Sequence, residues 1–169
     1  MKKTSVLILV ILFITAGTII GIFARLRKPP ELTITIDHAK IDILKLQEIP
    51  DDNKYLFKPA FEKETAIKIN HVEIGKKATL DFGNSPPDKI TIQEIFLKTN
   101  GEMLYTENLI KDITFTQKKN KYFFAVEKSI VSQLSSVYFK GKTDLRGYKI
   151  TALTGKDKRV YICVIRTDA

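Results

Sequence analysis

Residues 89–106 read KITIQEIFLKTNGEMLYT, and they carry the pattern that decides the fold. Ile90 and Ile92 alternate with polar residues, which is typical of a strand with one buried and one exposed face. Ile95 and Leu97 continue the alternation in the opposite phase. A β-bulge between Ile92 and Ile95 would produce this shift, because it adds one residue to one strand of a pair. The segment therefore predicts a long strand with a bulge near its middle.

A turn interrupts the same stretch at residues 99–102, which read Thr-Asn-Gly-Glu. Asn100 and Gly101 both tolerate the positive φ angles that tight hairpin turns require. An Asn-Gly pair between two apolar runs is a strong hairpin signal for that reason. We predict that residues 89–98 and 103–106 are joined as a β-hairpin.

Period-two alternation recurs along the rest of the chain, at 32–36, 67–69, 80–82, 113–115, 124–126, 148–153 and 160–165. It slips a second time between Ile43 and Leu44, and residues 154–158 predict a turn between the last two strands. About eight to ten short strands with few helices are typical of a two-sheet antiparallel sandwich. We therefore predict a mainly β, immunoglobulin-like antiparallel sandwich, formed as one domain by residues 31–169.

One segment departs from the strand pattern. Within residues 129–138, apolar side chains recur at helical spacing, at positions 130, 131, 134, 137 and 138. Ser129 precedes them and is a favourable N-cap residue. We predict one short helix over these residues.

Residues 5–24 are twenty consecutive residues without a charge. A helix of this length covers roughly the 30 Å of a bilayer core, at about 1.5 Å per residue. The segment therefore predicts a transmembrane signal-anchor helix, with residues 1–4 as a basic tail and residues 25–30 as a basic, proline-containing linker. A cleaved signal peptide is the alternative, with a cleavage site at residues 15–17, but the apolar region of such a peptide is only about 7–15 residues long.

The charges that flank this span are nearly balanced, so they do not decide its orientation alone. Lys2 and Lys3 precede the span, and Arg25, Arg27 and Lys28 follow it. The very short leading tail resembles that of an ordinary signal-anchor protein. We expect the domain to lie on the extracytoplasmic side of the cell membrane, and the inward-facing orientation stays open as the alternative.

Gly17 and Gly21 form a Gly-x-x-x-Gly pair inside the span. Such a pair lets two membrane helices approach closely, so it is a candidate helix–helix contact for a homodimer. Glycine is common in membrane helices, and an incidental pair is the alternative.

The overall charge is concentrated around the span. The formal net charge is +9, but the first 28 residues contain five basic and no acidic residues, which leaves 23 Lys/Arg against 19 Asp/Glu, a net charge of +4. Lys118, Lys119 and Lys121 are the nearest approach to a basic binding patch, and their position between two strand-like runs favours a solvated turn. A nucleic-acid partner is not expected, because it requires a larger basic surface with interleaved aromatic residues.

Side chains that carry catalytic or metal chemistry are sparse. His38 and His71 are the only histidines, Cys163 is the only cysteine, and none of them lies in a metal-binding or nucleophile motif. Cys163 lies in a run that is apolar on both faces, which favours a buried packing residue. We expect no catalytic residues, no metal and no cofactor.

Two stretches carry a family resemblance: LDFGNSPPDKI at residues 80–90, and RGY at 146–148 together with VYICVIRTD at 160–168. Over about residues 75–168 they resemble an uncharacterised immunoglobulin-like module. This module occurs in extracytoplasmic parts of Gram-positive membrane proteins, including lipoproteins and relatives of antibiotic-sensing membrane metallopeptidases. This chain has neither a lipoprotein cysteine nor a metallopeptidase portion. The resemblance implies a fold and a compartment, and it supplies no catalytic residues.

These observations favour a membrane-anchored extracytoplasmic module with a non-catalytic binding or structural role. Its partner would be another protein or a polymer of the cell envelope, because loops and sheet edges of a sandwich offer surfaces for both. An inward-facing regulatory or assembly domain is the first alternative. An enzyme without a recognisable motif is the second, and a pocket that places His38 or His71 beside carboxylates would favour it.

Overall fold

The computed structural model describes residues 31–50, 52–134 and 141–168. The predicted tail, transmembrane span and linker lie outside these residues, and so does the Gly17–Gly21 pair. In the described part of the chain, no helix combines the length and the apolar character needed to cross a bilayer.

Eleven strands make up nearly half of this region: β1 (Thr33–Ile36), β2 (Ala39–Ile41), β3 (Leu44–Leu46), β4 (Asn70–His71), β5 (Lys77–Asp81), β6 (Lys89–Leu97), β7 (Lys111–Asp112), β8 (Thr116–Lys118), β9 (Lys121–Ala125), β10 (Thr143–Thr154) and β11 (Asp157–Asp168). Four short 3₁₀ helices accompany them, at Asn53–Tyr55, Lys58–Ala60, Glu107–Leu109 and Ile130–Gln133. The predicted mainly β class is confirmed.

The strands form two sheets. The first sheet has the order β2-β1-β5-β9-β8, and the second has the order β3-β11-β10-β6-β7. Neighbouring strands in both sheets are antiparallel, as predicted, and β4 adds a short parallel pair with β11. The architecture is therefore a β-sandwich in which the long β10–β11 hairpin is the centre of the second sheet.

Alternate residues of both sheets meet in one core. Ile34 and Leu80 contribute from the first sheet, and Ile92, Tyr148 and Cys163 contribute from the second. Phe124 of the first sheet packs on the ring of Tyr148, with the ring centroids 5.3 Å apart. Burial of these alternating positions is the main force that holds the sheets together.

A second core lies on the outer face of the second sheet. The segment with the first two 3₁₀ helices covers this face, and its Leu56 and Phe57 are fully buried against Ile95, Leu97 and Val164. The ring of Phe57 also lies over Gly147, where a side chain would leave no room for it. The central part of the second sheet is therefore buried on both faces.

This two-sided burial corrects the predicted β-bulge. β6 pairs with β10 in one unbroken register from Lys89 to Leu97. Ile92 faces the core between the sheets, whereas Ile95 and Leu97 face the second core. The apolar pattern changes phase because the second half of β6 is buried on both faces, and no residue is inserted.

The change of phase between Ile43 and Leu44 is also caused by something other than a bulge. Ile41 ends β2 in the first sheet, and Leu44 begins β3 in the second sheet. The chain crosses from one sheet to the other between them, so Ile43 packs on the core between the sheets while Leu44 packs on the second core.

Two of the predicted strands are not strands. Residues 113–115 connect β7 of the second sheet to β8 of the first, and Ile113 and Phe115 pack on the core between the sheets as they cross. Residues 67–69 precede β4, and Ile67 packs on the second core. Alternating apolar residues also suit an extended crossing segment, and this is why both were misassigned.

The predicted turns are present. Gly101 has φ +80°, and the Asn100 side chain accepts a hydrogen bond from the Glu102 amide. The predicted second strand of that hairpin is reduced to a single bridge between Leu97 and Met103. Gly155, with φ +58°, makes the tight turn between β10 and β11.

The predicted helix is present in part. Ser129 caps it as predicted, because its side chain accepts a hydrogen bond from the Val131 amide, but the helix is a 3₁₀ helix that covers only Ile130–Gln133. The remainder, residues 135–138, lies outside the described residues. Ile130 is 79% exposed and Leu134 is 54% exposed, so the apolar spacing does not mark a buried face here.

Candidate functional site

A large cavity lies where the free edges of the two sheets meet. Its volume is about 660 Å³. β2 is the edge strand of the first sheet and β3 is the edge strand of the second, and the crossing between them forms part of the wall. The lining residues are Glu31, Leu32, Thr33, Lys40, Ile41, Asp42, Ile43, Lys45, Ala66, Ile67, Arg159 and Tyr161. We call this space the β2–β3 cavity.

Hydrogen bonds hold the outer wall of the cavity in place. The Asp42 carboxylate accepts a hydrogen bond from the Lys68 amide at 3.1 Å. Asn70 donates from its side chain to the carbonyl oxygen of Lys40 at 3.2 Å. These two bonds bring residues 66–70 alongside β2, and they satisfy one of the edge carbonyls that would otherwise be open to an added strand.

Cationic side chains outnumber acidic ones around the cavity. Lys40 and Lys45 are exposed and have no ion-pair partner among the described residues. Arg159 pairs with Asp157 at 2.7 Å. Glu31 and Asp42 are the acidic residues of the lining. Two lysines are therefore available to an anionic ligand.

The interior of the cavity is apolar. Leu32 and Ile41 are buried in its wall, and Ile43 and Ile67 are half-buried. Tyr161 is a buried residue of the lining, and it packs edge-on against Phe82 with 6.4 Å between the ring centroids. Burial raises the pKa of the Tyr161 hydroxyl, which keeps this wall uncharged at neutral pH. The cavity thus combines apolar walls with a charged rim, on which Lys40, Lys45, Glu31 and Asp42 have no ion-pair partner among the described residues.

The three candidate binding lysines, Lys118, Lys119 and Lys121, lie in the β8–β9 hairpin, where the sequence predicted a turn. Lys118 and Lys121 are a cross-strand pair, and Lys119 has φ +55° at the turn. Lys121 forms an ion pair with Asp81 at 2.9 Å, and its hydrogen bond is the main cause of a lowered pKa for that carboxyl. Lys118 and Lys119 are exposed and have no ion pair in the described structure.

The two histidines lie at separate positions. His38 occupies the turn between β1 and β2 with φ +69°. His71 lies on β4, where its Nε2 is 3.0 Å from the Asp168 carboxylate at the surface. A second cavity of about 230 Å³ places His71 near Asp37 and Glu73, which is the arrangement that would favour the enzyme alternative. Both carboxylates of this cavity form ion pairs with Lys76, and the His71 ring contacts Asp168 instead. Among the residues that the structure describes, no three His, Cys, Asp or Glu side chains are grouped closely enough to hold a metal ion.

Cys163 is buried, as its apolar neighbours predict. Its side chain belongs to the core between the sheets. Burial raises the pKa of the thiol to about 12, so the thiolate that nucleophilic chemistry requires is strongly disfavoured.

Sequence reasoning did not identify a buried polar cluster around Arg146. Arg146 Nη1 lies 3.1 Å from Glu94 Oε1 and donates to the carbonyl oxygen of Glu127 at 2.6 Å. Tyr148 donates from its hydroxyl to the same Glu94 oxygen at 2.8 Å. Glu94 lies on the same face of β6 as Ile92, towards the core between the sheets. A charged residue at this position of the strand was the feature of the sequence that could have revealed the cluster.

Comparison of the chain with protein-family models, with curated protein sequences and with solved structures gives no match. The β2–β3 cavity and the exposed lysines are therefore interpreted from their own geometry and charge.

Proposed function

We propose that the chain is a single-pass membrane protein whose immunoglobulin-like domain lies on the extracytoplasmic side and binds a partner without catalysing a reaction. The binding site is the β2–β3 cavity. The observation that carries the proposal is that Lys40 and Lys45, on the rim of a cavity with apolar walls, are exposed and have no ion-pair partner in the described part of the chain. The ligand that fits this surface is a chain segment in which acidic and apolar side chains alternate.

The apolar walls favour a protein segment over an anionic polymer of the cell envelope. A polymer without apolar groups would leave Ile43 and Ile67 facing water, whereas a peptide side chain would cover them. Each square ångström of apolar surface removed from water contributes about 25 cal/mol. Lys40 and Lys45 then select acidic neighbours and increase the association rate.

A direct binding experiment tests the proposed site. The full-length protein in detergent micelles is titrated with a fluorescent peptide of alternating glutamate and leucine residues, and with polyglutamate of the same length. We expect the alternating peptide to bind more tightly, because only this peptide can also cover the apolar walls. Equal affinity for the two probes would favour the envelope polymer, and binding of neither would contradict the site.

Reversing the charges of the two lysines tests whether the peptide binds at this cavity. Two exposed lysine–carboxylate contacts contribute about 1–2 kcal/mol together, so Lys40→Glu combined with Lys45→Glu should weaken binding about tenfold. Lys118→Glu combined with Lys128→Glu is the matched control. Both lysines are exposed and have no ion-pair partner among the described residues, and they lie on or after β8 and β9, on the other side of the first sheet from β2. The assignment to this cavity is wrong if the double variant of Lys40 and Lys45 binds no more weakly than the control.

A further inference from the structure

We infer that one end of the sandwich docks on the anionic lipid headgroups of the membrane in which the protein is anchored. The inference rests on the membrane anchor of the proposed function and concerns a different surface from the β2–β3 cavity. We call this surface the basic end, and it consists of five lysines and one leucine on three connections of the fold: Lys89, Lys118, Lys119, Leu153, Lys156 and Lys158.

The strand registers place these connections at the end where the described chain begins. In the first sheet, Thr33 is opposite Asp81 and Asp81 is opposite Lys121, so the start of β1 and the β8–β9 hairpin lie in one row across the sheet. In the second sheet, the turn between β10 and β11 lies at the same end, because Arg159 lines a cavity together with Glu31. The predicted span therefore leads into the basic end.

The charges of the basic end are unpaired. Its five lysines are exposed and have no ion-pair partner among the described residues. Among the acidic neighbours, Asp81 pairs with Lys121, Asp157 pairs with Arg159, and Asp88 accepts a hydrogen bond from the Gly155 amide. Glu31 also lies at this end and has no ion pair among the described residues, but the lysines outnumber the carboxylates, so the net charge of the end is positive.

The opposite end shows a different arrangement. Its lysines are mostly paired with carboxylates: Lys76 with Asp37 at 2.8 Å, Lys111 with Glu127 at 3.1 Å, and Lys142 with Asp144 at 3.7 Å. The positive charge that is free to meet an anionic surface is thus concentrated at the end nearest the span. A membrane surface with anionic lipids attracts such a cluster of lysines.

Leu153 adds an apolar contact to the basic end. It is 36% exposed and lies between Lys89 and Lys158, which are its cross-strand neighbours on either side. An exposed leucine flanked by two lysines suits the boundary between headgroups and acyl chains, where an apolar side chain is buried while the ammonium groups stay with the phosphates.

The linker is short enough to keep the basic end close to the membrane. Residues 25–30 are six residues, which extend at most about 20 Å. β10 has twelve residues and spans about 40 Å, so the opposite end of the sandwich is about that far from the end to which the linker is attached. Anchoring therefore holds the basic end within reach of the headgroups.

Fluorescence of the full-length protein in vesicles tests the inference. Asn84→Cys places a polarity-sensitive dye on the exposed loop beside the β8–β9 hairpin, and Ala125→Cys places it at the far end of β9. Cys163 is buried, so the native protein is labelled only at the introduced residue. The vesicles are pure phosphatidylcholine, or phosphatidylcholine partly replaced by phosphatidylglycerol.

We expect emission at Asn84→Cys to shift to shorter wavelength in the phosphatidylglycerol vesicles only, and to shift back in high salt. The dye at Ala125→Cys should show no shift. Lys118→Glu with Lys156→Glu should abolish the shift, while Lys63→Glu with Lys128→Glu should preserve it. The same emission in both vesicle types, or a shift that survives the first double variant, would overturn the inference.

Flotation separates this result from the membrane anchor. A protein with a membrane anchor should float with pure phosphatidylcholine vesicles, whether or not the emission of the dye shifts. A protein that does not float with them lacks the anchor, and the Asn84→Cys dye then still reports docking on phosphatidylglycerol vesicles. If the protein floats but the dye emission does not shift, the anchor is supported and docking of the basic end is contradicted.

Discussion

Arg146 and Glu94 form an ion pair inside the sandwich, with Arg146 Nη1 3.1 Å from Glu94 Oε1 and no surface of Arg146 exposed. Arg146 also lies over the ring of Phe96, 5.2 Å from its centroid. The Tyr148 hydroxyl donates to the same carboxylate, and burial is the main cause of its strongly raised pKa. One glutamate therefore compensates a buried cation and orders a buried tyrosine.

We predict that Glu94→Ala lowers the free energy of unfolding by about 3–5 kcal/mol, because it leaves the Arg146 charge buried without a counter-ion. Urea unfolding of the full-length protein, followed by tyrosine fluorescence, measures this loss. Replacing both partners, by Glu94→Leu with Arg146→Met, should be much less damaging than Glu94→Ala alone. Equal losses in the two variants would show that the charge of Arg146 is not the cause.

Gly147 is predicted to tolerate no side chain. A β-carbon at this position would lie 2.5 Å from Cε1 of the Phe57 ring, which packs directly on β10. Gly147→Ala should therefore destabilise the protein by about 1–3 kcal/mol through overpacking. Phe57→Leu in the same chain should recover part of the loss, as measured by the urea midpoint. A Gly147→Ala protein of unchanged stability would contradict the packing of the second core.

The strands that face a single core could be predicted from the sequence. Ile34 and Leu80 lie in segments of regular alternation, and both segments are strands. Ile95 could not be placed, because its phase depends on the segment around Phe57 that covers the outer face of the second sheet. Local alternation carries no information about a covering segment that is distant in the chain.

Prediction of the candidate site was limited for the same reason, because the site depends on contacts between residues that are distant in the sequence. The turn at Lys118 and Lys119 follows from local residues and was predicted. The β2–β3 cavity was not, because it requires Lys40, Ile67 and Arg159 to meet across three separate parts of the chain. Arg146 was overlooked because a charged residue within a strand is usually on the solvent face.

The stability contribution of Asp144 is predicted to depend on pH. Burial raises the pKa of its carboxyl above the ordinary value of 3.8, so the folded protein binds this proton more tightly than the unfolded chain does. The ionised group therefore destabilises the fold at neutral pH, and this effect disappears as the pH falls through the raised pKa towards 3.8. Asp144→Asn should be more stable than the natural protein at neutral pH, with a difference that shrinks on acidification.

Asp81 provides a control, because the pKa of its carboxyl is shifted in the opposite direction to that of Asp144. The hydrogen bond from Lys121 lowers the pKa of this carboxyl, so its favourable contribution is present above 3.8 and is lost as the pH falls through the lowered pKa. Asp81→Asn should be less stable than the natural protein at neutral pH. A pH-independent difference for Asp144→Asn would contradict the assigned burial.

Cys163 is predicted to act as a packing residue only. The native protein should react very slowly with a thiol reagent, and the urea-unfolded protein should react at once, because burial disfavours the thiolate. Cys163→Ala should lower the free energy of unfolding by about 1 kcal/mol through a small cavity. Cys163→Asp should prevent stable folding, because it places an unpaired charge in the core. Rapid labelling of the native form would mean that Cys163 is exposed, and a redox or covalent role of the thiol would have to be reconsidered.

The position of the domain at the outer face of a membrane is the central claim, and protease accessibility tests it most directly. Protease is added to intact cells from which the wall has been removed, and the full-length protein is followed with antibody against the domain. We predict that the domain is digested in intact cells while a cytoplasmic marker is protected. A domain that resists until the cells are lysed, or a mature protein that begins near Thr18, would contradict the account.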